Sequence, residues 1–232
     1  MKLCLIPARG GSKRIPGKNV RDFCGQPIIA YSIKAAIESA CFDKVIVSTD
    51  DEKIAAIAKE YGAEVPFIRP ESISGDHTGT TEVIKHALEW YANKGESVKY
   101  ICCLYATAPF VSARYIRQGY EQLIDSAKSY AFSVTSYAFP IQRALRINSS
   151  NEIEAIWKEN ITKRSQDLEE AYHDAGQFYW GKSEAFLKDE IVFSSSSVPV
   201  VLPRYIVQDI DTLEDWRHAE FMYKAQCQQG TN

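Results

Sequence analysis

Lys2-Leu3-Cys4-Leu5-Ile6-Pro7-Ala8-Arg9-Gly10-Gly11-Ser12-Lys13-Arg14-Ile15-Pro16-Gly17-Lys18-Asn19 runs from a short apolar segment straight into a basic, glycine-rich loop. Beyond it, over residues 26–40, apolar side chains recur at helical spacing as Ile29, Ile33, Ala36, Ile37 and Ala40, so the opening reads strand, loop, helix. The same rhythm continues outward. Residues 44–49 predict a buried strand, Asp50 or Asp51 can cap a helix through Tyr61, and Gly62 can end it. Strands are expected over 64–68, 100–105 and 131–135, and helices over 81–93 and 112–126. Strands alternating with helices predict an α/β sandwich of three layers, a mainly parallel sheet with helices on both faces.

The rhythm breaks after Tyr137. Arg143-Ala144-Leu145-Arg146-Ile147 and Glu152-Ile153-Glu154-Ala155-Ile156 flank Asn148-Ser149-Ser150-Asn151, which predicts two strands about a turn. We read residues 137–170 as an arm inserted into a single domain of residues 1–232. Its mixture of aromatic and charged side chains suits a partner surface, so it reads as a homodimer contact or, equally, as an ordinary surface flap. The sheet resumes at 176–180, strands are expected at 198–202 and 206–208, and a helix over 212–225 closes the chain.

Composition limits the function. A formal net charge of −3, with 45% hydrophobic and 25% charged residues, describes a folded domain without general attraction to nucleic acid or an anionic membrane. No apolar run approaches the ~20 residues needed to span a bilayer and the start lacks a signal peptide, so a cytoplasmic protein is expected. The six cysteines include no Cys-x-x-Cys pair and have no zinc-ligand spacing with the four histidines, which reads as reduced thiols.

An anionic ligand must therefore be held by local cations. Arg9, Lys13, Arg14 and Lys18 can neutralise phosphate oxygens, while Gly10 and Gly11 let the backbone approach a ligand and point amides at it. The loop lies at the carboxyl end of the first strand, where open α/β sheets bind ligands. It is not a P-loop, because Gly11 and Gly17 enclose five residues rather than four and Asn19 stands where Ser or Thr is required. Nor does it hold the Gly-x-Gly-x-x-Gly of dinucleotide-binding folds.

Near the other end, Asp209 and Asp211 follow the apolar run Tyr205-Ile206-Val207. Two residues apart in extended backbone, they point the same way and can share a hard divalent cation such as Mg²⁺. Equally, Asp211-Thr212-Leu213-Glu214 fits a capping box in which Asp211 starts the last helix.

The stretch from Ile6 to Asn19 closely resembles the signature loop of acylneuraminate cytidylyltransferases, the CMP-sialic acid synthetase family. The resemblance extends to Asp43-Lys44-Val45-Ile46-Val47-Ser48-Thr49-Asp50-Asp51, Arg69-Pro70-Glu71, Thr107-Ala108-Pro109, Arg164-Ser165-Gln166-Asp167-Leu168 and Gln208-Asp209-Ile210-Asp211, and so to nearly the whole chain. It implies a Rossmann-like fold, CTP as donor, a nine-carbon 2-keto acid sugar as acceptor, magnesium as cofactor and a homodimer. It further implies that Ala8, Arg9, Gly10, Gly11, Ser12, Lys18 and Asn19 bind the nucleotide, with Arg69 near the base, and that Asp209 and Asp211 bind the metal. Arg9, Lys18, Asp209 and Asp211 are the expected catalytic set.

Two departures point to the sugar. Leu104-Tyr105-Ala106-Thr107-Ala108-Pro109 stands where sialic acid synthetases usually carry Leu-Gln-Pro-Thr-Ser-Pro, and 171–180 resembles the pseudaminic acid branch of the family. Tyr105, Thr107, Gln142, Arg143, Arg164, His173, Asp174 and Gln177 are the candidate sugar contacts. An arginine of the arm can grip the sugar carboxylate or merely pair at the surface, and His173 with Asp174 can act on the sugar or form a structural pair. His77 falls in a loop that the resemblance places near the active site, while His86 and His218, on helices, are expected to be structural or solvent-facing. The rivals are synthetases for sialic, legionaminic or 3-deoxy-octulosonic acid and, from another class, a catalytically silent nucleotide-binding regulator.

Overall fold

The structure is a computed structural model that describes residues 1–76 and 78–228. In chain order it comprises β1 (Lys2–Pro7), the two-residue strands β2 (Asp22–Phe23) and β3 (Gln26–Pro27), α1 (Ile28–Ser39), β4 (Lys44–Ser48), α2 (Glu52–Glu60), α3 (Thr80–Asn93) and β5 (Tyr100–Leu104). There follow α4 (Ala113–Asp125), β6 (Tyr130–Ser136), β7 (Leu145–Ile147), β8 (Ile153–Ala155), β9 (Tyr172–Lys182), α5 (Ser183–Leu187), β10 (Ser197–Val201) and α6 (Leu213–Gln228). Six strands form the central sheet in the order β10-β6-β9-β5-β1-β4. β1 runs parallel to β4 and β5, and β10 parallel to β6, whereas β9 is antiparallel to both of its neighbours.

Alternation along the strands builds two cores. Cys4 and Ile6 face α1 and α4 together with Cys102, Leu104, Phe178 and Trp180, while Leu3 and Leu5 face α3 together with Ile101, Cys103 and Tyr179. Burial holds the thiols of Cys4 and Cys102 well above their ordinary range, so they pack as small apolar groups. A third cluster, Ile15, Phe23, Ile28, Tyr31, Phe110, Ile210, Trp216 and Ala219, draws the basic loop, the β2–β3 hairpin and the start of α6 together. That cluster positions the site.

Three expected elements differ. Residues 64–68 form only isolated parallel bridges, Ile46 with Glu64 and Thr49 with Ile68, because Pro66 between them has no N–H for a ladder. Residues 206–208 are not a strand: Pro203 starts a single 3₁₀ turn over Arg204–Ile206, and the carbonyl of Ile206 takes its bond from the Gln177 side chain at 2.6 Å. The first helix begins at Ile28 rather than 26, since Gln26 and Pro27 pair back onto β2.

The arm is a hairpin of β7 and β8, with Leu145 opposite Ala155 and Ile147 opposite Ile153. The Asn148 carboxamide oxygen shapes its turn by accepting from the amides of Ser150 and Glu152. Between β6 and β9 the register slips, so that Phe132 faces Tyr179 while Val134 already faces Asp174. Gly176 sits in that bulge at φ +62°, and the Ser133 hydroxyl accepts from the amides of Gln177 and Phe178.

Candidate active site

A cavity of about 240 Å³ opens beyond the carboxyl ends of β1, β4 and β5, and Arg9, Ser12, Lys13, Lys18, Asn19 and Arg69 are among the residues that line it. Side chains, more than amides, make the cationic surface. The Ala8 amide extends the sheet to the Ser48 carbonyl at 2.9 Å, and the Gly10 amide donates to Asp50 at 2.9 Å. The glycine is needed for closeness, because a Cβ at position 10 would lie 2.8 Å from the Asp51 carboxylate. Asn19, which is buried, donates to the Arg9 carbonyl at 2.9 Å and so locks the loop rather than reaching outward. The two neighbouring aspartates divide their work. Asp51 caps α2 through the amides of Lys53 and Ile54, leaving Asp50 to face both Gly10 and Arg69.

Arg69 is the most informative group in the wall. Its side chain is only 4% exposed and its Nη2 lies 3.8 Å from Asp50, yet Nε and Nη2 make no hydrogen bond. Burial lowers its pKa, with the charge of Asp50 opposing. Buried donors without partners are costly unless a ligand satisfies them.

The acidic segment meets the basic loop here. Lys18 Nζ donates to the Ile210 carbonyl at 2.7 Å and stands 3.7 Å from Asp211, while Arg14 pairs with Asp211 at 2.8 Å. Burial lowers the Lys18 pKa, and the charges of Asp211 and Asp209 oppose that shift. Ile210, between Asp209 and Asp211 in the chain, is fully buried. Although Asp209 lies at the surface, desolvation by the surrounding chain and then the negative charge of Asp211 raise its pKa. The capping role falls to other residues. The Asp215 carboxylate accepts from the amides of Asp211 and Thr212, and the Thr212 hydroxyl accepts from the Asp215 amide, so the Asp211 carboxylate is not needed to start α6.

A second cavity of about 210 Å³ shares Tyr105 and Thr80 with the first, and its wall is mostly apolar, with Ile84, Phe186, Val192 and Phe193. Asp174 is its charged group. The bulge in β9 brings Tyr179 over it, so that the Tyr179 hydroxyl and the Gly176 amide both donate to the Asp174 carboxylate. Tyr105 stacks at a tilt 5.4 Å from Tyr179 and touches the Thr80 hydroxyl at 3.4 Å. Burial raises the pKa of both tyrosines, keeping them as neutral donors.

Thr107 lines the nucleotide-side cavity. Gln177 is buried and ties β9 to Ile206, away from either cavity. His173 does not pair with the Asp174 carboxylate: its Nδ1 meets the Asp174 backbone carbonyl at 2.8 Å and its ring lies against Tyr137, because successive side chains on β9 point to opposite faces. Gln142 donates to the Glu169 carbonyl, Arg143 to Ser165 and Arg164 to Asp167, so within one chain all three stay inside the arm. His77 lies outside the described residues. Asp50, Asp76, Thr80 and Tyr179 join the site without having been singled out. No local pattern marks them, since each arrives through a bulge, a bridge or a loop closed by distant residues.

The cytidylyltransferase family matches over residues 3–210. The chain belongs to that family. This cytidylyltransferase is 45% identical over 222 residues to the pseudaminic acid cytidylyltransferase of Campylobacter jejuni subsp. jejuni, covering 96% of both chains. It is 31% identical over 227 residues to the CMP-N,N'-diacetyllegionaminic acid synthase of Legionella pneumophila subsp. pneumophila, covering 94% of both. In structure it is similar to a CMP:2-keto-3-deoxy-manno-octonic acid synthetase solved with CTP, at a TM-score of 0.68 and 17% identity, over 97% of this chain and 99% of that one. The last likeness carries the Rossmann-like α/β fold of the cytidylyltransferase.

Proposed function

We propose that this cytidylyltransferase couples CTP and pseudaminic acid to give CMP-pseudaminic acid and pyrophosphate. One observation carries the reading: Lys18 on the amino-terminal loop is bonded to Ile210 and close to Asp211, on the wall of a cavity into which buried, unpartnered Arg69 donors are built. Loop cations and acidic groups thus converge where a polyphosphate fits.

In the proposed reaction the anomeric hydroxyl oxygen of the sugar attacks the α-phosphorus of CTP and gives up its proton to solvent, the bond from the α-phosphorus to the bridging oxygen breaks, and pyrophosphate leaves with that bond's electron pair. Arg9, Lys13 and Lys18 neutralise the phosphates, Arg69 donates to the nucleotide, and the shared wall of Tyr105 sets the sugar beside the α-phosphate. Asp209 and Asp211, whose charges both act on Lys18, are a hard oxygen donor set, which suits Mg²⁺ completed by water and substrate phosphates. Asp209 and Asp211 would hold that ion, which when bound supplies charge stabilisation at the α-phosphate.

The second cavity supports the choice of sugar. An apolar wall around a single carboxylate suits a deoxygenated, N-acylated sugar, whose methyl groups need burial and whose N–H groups need an acceptor. The higher identity to the Campylobacter relative agrees. We place the enzyme in the cytoplasm as a homodimer joined through the arm, whose Phe139, Ile147 and Ile153 stand 83%, 71% and 72% exposed. Pyrophosphate release from CTP tests the reading, measured with pseudaminic, legionaminic and N-acetylneuraminic acids, each with Mg²⁺ and after EDTA. Turnover is expected fastest with pseudaminic acid and abolished by EDTA; no release with any of these sugars would favour the silent regulator.

A further inference from the structure

The loop between Arg69 and α3 returns a carboxylate into the cationic surface. Asp76 pairs with Arg9 at 2.6 Å through one oxygen and with Lys13 through the other. One acidic group therefore occupies two of the cations assigned to phosphate, as a bridging phosphate oxygen pair would. The hydrogen bonds from Lys13 and then Arg9 also hold its carboxyl below the ordinary aspartate range. Its backbone is tethered on the upstream side, where the Arg69 amide donates to the Thr49 carbonyl at 2.8 Å, and on the downstream side Thr80 opens α3 against the same cavity.

We propose that Asp76 is a built-in competitor of the polyphosphate: its carboxylate occupies Arg9 and Lys13 in the empty enzyme, yields them to CTP, and returns as pyrophosphate leaves. This rests on the nucleotide site described above and assigns it a selectivity device. A tethered carboxylate faces the cations at an effective concentration set by its loop, so a ligand must bring enough charge to displace it. A triphosphate does so at several points together; a free phosphate or a departing pyrophosphate does so less well. The side chains of Arg9 and Asp76 are each 34% exposed, so exchange with an incoming anion needs no opening of the core.

The test is Asp76→Asn in the full-length protein, with pyrophosphate as product inhibitor, CTP as substrate and cytidine as an uncharged probe. Loss of the competing charge should tighten pyrophosphate inhibition and lower the KM for CTP by about threefold to tenfold, the size of one or two exposed ion pairs. Both effects should steepen at low salt, cytidine affinity should stay unchanged, and Asp76→Glu should restore wild-type inhibition. A higher KM for CTP, unchanged pyrophosphate inhibition, or a parallel change in cytidine affinity would overturn the proposal. Lys18→Ala separates the two levels. If CTP binding survives that change, the nucleotide site itself is misplaced; if it falls while Asp76→Asn has no effect on pyrophosphate, the competitor alone is wrong.

Discussion

At the nucleotide-side cavity, polar contacts join parts of the chain that are far apart in sequence, with Lys18 reaching a carbonyl 192 residues away and Arg9 reaching Asp76 across 67. In the arm the corresponding spans are 27 for Gln142 to Glu169, 22 for Arg143 to Ser165, 8 for Arg146 to Glu154 and 3 for Arg164 to Asp167. The cavity exists only once the sheet and the third core have closed. The arm's side-chain hydrogen bonds run over short spans, and it leaves apolar side chains uncovered. A charged change at the cavity should therefore alter chemistry with little effect on folding, and an apolar change in the arm should alter assembly with little effect on nucleotide binding.

The sharpest way to break this contrast is Asp211→Ala. With Thr212 and Asp215 starting α6, the circular dichroism spectrum and Tm should hold while turnover falls on the order of a thousandfold, the loss expected from several kcal/mol of charge stabilisation. Near-normal turnover, or unfolding, would return Asp211 to a structural role.

On the arm side, Phe139→Ser combined with Ile153→Ser should weaken self-association by about a hundredfold, the value of two uncovered apolar side chains. Light scattering across a dilution series reads this, and CTP affinity should stay put. An unchanged mass would mean that another face makes the contact.

Between the two cavities, Tyr105→Gln should move the kcat/KM preference from pseudaminic toward N-acetylneuraminic acid by about tenfold. Steady-state rates with both sugars decide it, and a uniform loss with both would make Tyr105 a packing residue only.

The smallest effect concerns His86, which lies outside both cavities with its Nδ1 buried and unbonded, against Phe67. Burial holds its pKa below the ordinary 6.5. As pH falls through 6.5 the unfolded chain therefore takes up a proton that the folded ring resists, and stability drops until the folded ring protonates too. Relative to wild type, His86→Leu should flatten the fall in Tm between pH 7.5 and 5 by on the order of 1 °C. An identical slope in both proteins would rule out this contribution.

What could be read in advance follows range of interaction. The strands with alternating or continuous apolar runs, the helices with apolar spacing, and the Asn148 turn are set by local chemistry, and they stand in the structure within a few residues of expectation. Pro66 and Pro203 were visible too, but their cost to a strand depends on whether a partner's ladder needs the missing donor. For Asp211 the sequence leaves a metal ligand and a helix cap both open; in the fold Asp215 and Thr212 make the bonds that start α6, while the Asp211 carboxylate pairs with Arg14.

By itself, the sequence determined an α/β sandwich with cations at the end of its first strand, because periodicity and spacing are properties of neighbouring residues. Only the tertiary structure decided that Asp50 rather than Asp51 takes the Gly10 amide, that Asn19 ties the loop through the Arg9 carbonyl, that Gln177 ties β9 to Ile206, that Tyr179 covers Asp174, and that Asp76 occupies Arg9 and Lys13. Each of these depends on a bulge, a buried hydrophobic cluster or a closed loop, and such features arise from contacts between segments that carry no mark of one another in the chain.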